Sequence, residues 1–358
     1  MLEKILPYFR KIKLIWIIEL VGLLLITLLL YKVDYSLDKE SEYYYGENDI
    51  YFEYQAAKQL QKGNNPYNRI LEGNMIENDK YATQLPLYFY TLAYIRQISD
   101  NEFGEFLDNY RIVIFFAHIL GGVFIYLFFR KIDKRFFGLC AALFYMFNVW
   151  SLNSFLNLKQ DMPAIALLLL SLYFLRNSKY RWLSYILFGL SLGIKHIGIF
   201  IAPLYLTPLF FKEDSFKKFS LNMFLLVLTL FIPSAPLFFD NPLSFINSML
   251  FSLTRSPLDT EITYGYNELL VQYDPSYNTG TLLQQLLPRL PLLVASLLAF
   301  SLLILRIIPK ATYAFLAVLV FAIFNPIIFP QYVTWVTPLA MVAFTDLLSF
   351  DPKSGASA

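Results

Sequence analysis

The stretch WLSYILFGLSLGIKHIGIFIAPLYLTPLFF, residues 182–211, decides how this chain is read. These thirty largely apolar residues could form one long helix crossing a bilayer, but Lys195-His196 sits near the middle and both flanks are basic, with Lys179 and Arg181 before it and Lys212 after it. Basic loops gather on one side of a membrane, so both flanks face the same way and the stretch must turn back on itself as a hairpin. Lys195 and His196 then lie at its tip. Thirteen helical residues, 182–194, rise only about 20 Å against a hydrocarbon core of about 30 Å. The tip therefore stops short of the far surface, and a cation at that depth requires a partner and a hydrated cavity.

The rest of the chain has the same character. Its 358 residues are 57% hydrophobic and 16% charged, with a mean hydropathy of +0.50, a composition of polytopic membrane proteins. The near-balanced charge of +2 and the lack of a basic stripe exclude a nucleic-acid partner. Cys140 is the single cysteine, so neither an internal disulfide nor a thiolate metal cage can form. No metal ligand set and no cofactor are expected.

Apolar runs at 14–31, 110–129, 136–152, 161–175, 182–194, 197–211, 219–238, 290–308, 312–329 and 332–348 predict an all-α polytopic membrane protein of about ten transmembrane helices. The first is read as an uncleaved anchor. Basic residues follow the even-numbered runs, at Arg130-Lys131 with Lys134-Arg135, at Arg176, at Lys212 with Lys217-Lys218, and at Arg306 with Lys310. Together with Lys4, Arg10, Lys11 and Lys13 they put both termini in the cytoplasm. Two long segments, 32–109 and 239–289, fall outside within a single domain, 1–358. In the first, Phe52, Ala56 and Leu60 predict a surface-lying helix stopped by Gly63, and 85–98, with Pro86 in its first turn, predicts a second interfacial helix. In the second, 242–253 carries an apolar stripe of Phe245, Ile246, Met249, Leu250 and Leu253. His118, in an apolar helix, is expected to bond between helices.

Several short motifs converge on one family. Asp49, Tyr54, Ala56-Ala57, Leu60, Gly63 and Asn65-Pro66-Tyr67 precede Gln160-Asp161, Gly193-Ile194-Lys195, and Pro330-Gln331-Tyr332 followed by Trp335 and Pro338. The combination resembles the GT-C superfamily of integral-membrane glycosyltransferases, and most of all the polyprenyl-phosphate-mannose-dependent mannosyltransferases of glycosyltransferase family 87. The last motif is also similar to the mannosyltransferases of glycolipid-anchor synthesis. Gln84-Leu85-Pro86 departs from the family's usual Tyr-Pro-Pro.

The resemblance implies a prokaryotic cell-membrane enzyme that moves a sugar from a polyprenyl phosphate to a lipid or glycan acceptor outside the cytoplasm. It implies Asp49 as general base, although Asp before Ile50 also suits a helix cap. Lys195 and His196 would meet the donor phosphate, while Arg255 and Arg289 suit either that phosphate or lipid headgroups. Glu47, Tyr67, Asp161, Gln331, Tyr332 and Trp335 would line the substrate site; Gln331 and Trp335, four residues apart, share one helix face. Asp161, with Pro163 just inside the helix, equally suits a cap. The competing class is a transporter or flippase of lipid-linked saccharides, whose usual paired halves are missing.

Overall fold

The computed structural model describes residues 49–68, 82–254, 289–325 and 331–349, with positions 21, 22, 25, 28 and 329. Every regular element among them is helical. The expected anchor at 14–31 falls largely outside them, as do Glu47 and Arg255.

Helix α1 (Asp49–Gln61) is followed by a 3-10 turn (Pro66–Asn68), α2 (Pro86–Ile98) and α3 (Phe103–Lys131). Then come α4 (Arg135–Phe147), α5 (Val149–Leu156), α6 (Asp161–Leu175) and α7 (Arg181–Ile194). An eleven-residue 3-10 helix (His196–Leu206), the short α8 (Thr207–Phe210), α9 (Phe216–Asp240) and α10 (Pro242–Thr254) continue the chain. Helices α11 (Leu290–Ile304), α12 (Lys310–Phe324) and α13 (Gln331–Ser349) complete it.

Among the described residues three helices, α3, α9 and α13, are long and apolar enough to cross a membrane alone. With a bent pair counted as one span the described residues supply up to four, against the about ten transmembrane helices expected from the sequence. The run at 136–152 is broken into α4 and α5, bent by 50°, because Asn148 stops one helix and its Oδ1 accepts from the Trp150 and Ser151 amides to start the next. The expected runs at 161–175, 182–194, 197–211, 290–308 and 312–329 form shorter apolar helices.

The hairpin at 181–206 forms. Its arms lie side by side, with Phe188 stacked on Tyr205 at 4.0 Å and the Tyr185 hydroxyl donating to the Tyr205 carbonyl. The return arm is 3-10 rather than α, and contains Pro203, which has no N–H to give to an α-helical bond. At about 2.0 Å per residue its eleven residues cover about the 21 Å that fourteen α-helical residues cover in α7.

Three of the basic turns, at Arg176 and Arg181, at Lys218 and at Lys310, are tied together by ion pairs. Arg181 pairs with Glu213 at 3.0 Å and Asp214 at 2.8 Å, Lys218 with Asp214 at 2.8 Å, Lys310 with Glu213, and Arg176 with Asp346 at 3.0 Å.

Helix α1, the 3-10 turn, α2 and the start of α3 form a cap layer with its own apolar core. Ile50, Tyr54 and Ala57 are the innermost residues of α1, whereas Phe52 and Leu60 of the expected stripe are only half-buried. The cause is Tyr54, whose ring packs on Phe103 and Phe106 and turns the helix toward them. Helix α3 accordingly begins well before residue 110. Gly63 ends α1 at φ 77°, with the Asn64 amide bonded to the Gln59 carbonyl and the Gly63 amide to Leu60, a turn that glycine enters without strain.

Asn65-Pro66-Tyr67 fastens this layer to the bundle. Asn65 Nδ2 donates to the Leu237 carbonyl at 2.8 Å and to Asp240 at 3.0 Å, at the end of α9, while its Oδ1 accepts from the Tyr67 amide at 3.0 Å. The stripe expected on 242–253 is corrected too. Between 242 and 250 of α10, Ser244, Phe245 and Ser248 are buried, and Ile246 and Leu250 face outward. Phe245 meets the Tyr67 ring at 4.8 Å, which fixes that face inward.

Candidate active site

Beneath the cap layer, charged residues from distant parts of the sequence converge. Asp49, the first residue of α1, takes an ammonium hydrogen bond from Lys159 at 2.7 Å. Lys159 lies in the turn between α5 and α6, where the preceding Leu158 is buried at φ 50°. That left-handed conformation costs a bulky residue about 1–2 kcal/mol and is held by packing around it.

Two residues on, Asp161 is fully buried at the start of α6. It does not cap its helix. One carboxylate oxygen accepts from the Trp335 indole at 2.6 Å, and the other faces Lys195 Nζ at 3.7 Å. Lys195 ends α7 at the hairpin tip, 7% exposed, and the Ser191 hydroxyl bonded to the Ala164 carbonyl joins α7 to α6 just behind it. Lys195, a cation at depth, thus has its carboxylate partner in Asp161. His196 follows, with Nδ1 buried and lacking a hydrogen-bond partner.

Glu53, one turn along α1 from Asp49, accepts a hydrogen bond from the Tyr88 hydroxyl of α2, which lies 3.2 Å from that of Tyr110 on α3. Withdrawal of its carboxylate from water, and then the nearby charge of Asp49, push its pKa up to about 7 against the opposing pull of Tyr88, Lys195 and Lys159. Burial disfavours the Lys159 ammonium, but Asp49, which attracts it and accepts its hydrogen bond, outweighs that and raises its pKa.

Asp49, Asp161, Lys195, His196 and Trp335 are therefore brought into one neighbourhood. Tyr67 is a core residue of the cap layer, its hydroxyl donating to the Gln84 carbonyl at 2.6 Å and its ring against Phe89. Tyr332 packs on Phe321 and Phe329, Gln331 is half-buried at the start of α13, and Arg289 is buried just ahead of α11. His118 bonds between helices as expected, through Nε2 and the Met146 carbonyl.

Sequence reasoning missed Glu53 and Lys159. The signal for Glu53 was its spacing of four from Asp49, which sets both carboxylates on one helix face. Lys159 offered only its nearness to Asp161. Among the described residues no group of three or more His, Cys, Asp or Glu could hold a metal ion.

No family model matches the chain, and no curated protein matches it. Among solved structures it is similar to ArnT from Cupriavidus metallidurans bound to undecaprenyl phosphate, at 14% identity and a TM-score of 0.46. It is also similar to the same protein in the apo state, at 14% identity and 0.45. Each match covers 85% of this chain, which spans 56% of the other's length.

Proposed function

We propose that this chain is a membrane glycosyltransferase that moves a sugar, mannose by the sequence resemblance, from a polyprenyl phosphate to a hydroxyl of a lipid or glycan acceptor outside the cytoplasm. The observation that carries the reading is Asp49 on a surface helix above a bundle of apolar helices, with Lys159 on it and Glu53, on which Lys195 also acts, one turn along.

In this mechanism the acceptor oxygen attacks the anomeric carbon from the face opposite the phosphate, inverting it. The carbon–oxygen bond to the phosphate breaks and the electron pair leaves with the phosphate. The hydroxyl proton goes to Asp49, a transfer worth about 10²–10⁴ in rate. Lys195, with His196 beside it, stabilises the charge that grows on the leaving phosphate.

The test is purified protein given radiolabelled polyprenyl-phosphate sugars and a membrane lipid extract. Label should move to an extractable acceptor, and an intact protein that moves none with any sugar tested would refute the reading. The buried Lys195–Asp161 pair also suits a carrier of lipid-linked saccharides, since such pairs mark translocation paths. A carrier would move an intact labelled lipid across proteoliposomes and transfer no sugar in detergent.

A further inference from the structure

We infer that Glu53 is a further donor-affinity residue of this site: an anionic lipid phosphate binds beside Lys159 and Lys195 together with one proton taken up on the Glu53 carboxylate. The inference rests on the glycosyltransferase reading for the identity of the anion, and on the arrangement of charges for everything else.

The pairing of the charged side chains carries the argument. Lys159 is held by Asp49 at 2.7 Å and Lys195 faces Asp161 at 3.7 Å, so each ammonium already has a carboxylate. Glu53 is the third carboxylate of the group, and no ion pair joins it to either lysine; its bonded partner is the Tyr88 hydroxyl, with Tyr110 behind. Among the described residues, the groups that bear on it come from several neighbouring elements. They are Asp49 from its own helix, Tyr88 from α2, Tyr110 from α3, Lys159 from the turn before α6, and Lys195 from the hairpin tip. Asp161 acts one step further out, on Lys159 and on His196.

Among the described residues, ionised Glu53 gives these groups one negative charge more than positive, so an arriving phosphate meets one more repelling carboxylate than it does with Glu53 protonated. With Glu53 protonated the two lysines balance the two remaining carboxylates. A protonated Glu53 still bonds to Tyr88, so α1 keeps its place on α2 in either state. The burial that already lifts Glu53 to about 7 puts this exchange within reach of ordinary pH. A Glu53 with only a packing role would leave donor affinity indifferent to pH.

The experiment uses the full chain in detergent and farnesyl methyl phosphate, a lipid phosphodiester whose single charge does not titrate between about pH 5.5 and 8.5. Wild-type affinity should be level below about pH 6 and fall roughly tenfold per pH unit above about 7. Glu53→Gln should bind with little pH dependence, and at pH 8 about tenfold more tightly than wild type. His196→Gln, which removes the other nearby titrating group, should keep the wild-type slope. Calorimetry on wild type in two buffers of different ionisation heat should find proton uptake approaching one at pH 8 and none at pH 5.5, a readout that stands if Glu53→Gln fails to fold. Binding without slope or uptake, or a slope that survives in Glu53→Gln and vanishes in His196→Gln, overturns the inference while leaving the glycosyltransferase reading intact. A wild-type protein that binds the probe at no pH overturns the donor class, and this inference with it.

Discussion

Replacing Asp161 by Asn tests whether the hairpin tip is held by charge. Asn keeps an oxygen for the Trp335 indole and nearly the same volume, so the substitution removes one thing, the negative charge facing Lys195. At 3.7 Å and an effective dielectric of about 20, that attraction is about 4.5 kcal/mol. Both side chains are withdrawn from water, at 9% and 0% exposure, so Lys195 is left as an uncompensated buried cation, and removing one partner of such a pair costs about 3–5 kcal/mol. At about 2 °C per kcal/mol for a large domain, the apparent melting temperature in detergent should fall by about 6–10 °C. Lys195→Met on top of Asp161→Asn removes the stranded charge and should restore most of the loss, although each single change is destabilising. Thermal melts of the four proteins in one detergent supply the cycle. A single Asn variant within about 1 °C of wild type, or a double variant no better than the single, would refute the claim that this pair anchors the tip.

Asp49→Asn should cut sugar transfer by about two orders of magnitude with little change in melting temperature, read from initial rates at saturating donor. Asn65→Ala deletes the bonds to Leu237 and Asp240 and the turn onto the Tyr67 amide, so protease cleavage between the cap layer and the bundle should accelerate for a loss of about 1–3 kcal/mol. A Cβ on Gly193 would lie 2.7 Å from Leu87 Cδ2 and 3.0 Å from its Cβ, so Gly193→Val should part α2 from α7 and lower the melting temperature by an amount matching about 1–3 kcal/mol. Because the folded Glu53 carboxyl is raised to about 7 from 4.5, its contribution to stability is complete below about pH 4.5 and lost as pH rises through about 7. Wild-type melting temperature should therefore drop across that window relative to Glu53→Gln.

What the sequence made legible was set by local rules. Basic flanks at Arg181 and Lys212 required a hairpin, and a hairpin forms; Gly63 required a stop, and it sits in the left-handed turn that ends α1. Lys195 at depth demanded a partner, and Asp161 is that partner. What stayed hidden was set by distance. The Lys159–Asp49 pair joins residues 110 positions apart, and no periodicity within either segment encodes it. Glu53 was passed over because the stripe of Phe52, Ala56 and Leu60 sets the facing of α1 by its own residues, whereas its rotation is decided by Phe103 and Phe106. The bend at Asn148 and the 3-10 arm of the hairpin escaped notice because both sit inside runs of uniform hydropathy, where average apolarity reports length and nothing about backbone geometry.

The Asn65 fastening also bears on the order in which the protein is made. Asn65 bonds to Leu237, 172 positions later in the chain, and translation at about 5–20 residues per second separates their synthesis by roughly 10–30 s. During that interval α1 and its carboxylates have emerged while the helix end that secures them has not. Closure of the cap layer therefore waits for α9 to be inserted. A ribosome stalled or a chain truncated before residue 237 leaves the cap unlatched, and since Trp335, which bonds Asp161, comes later still, fragments released before α13 cannot present the site in finished form.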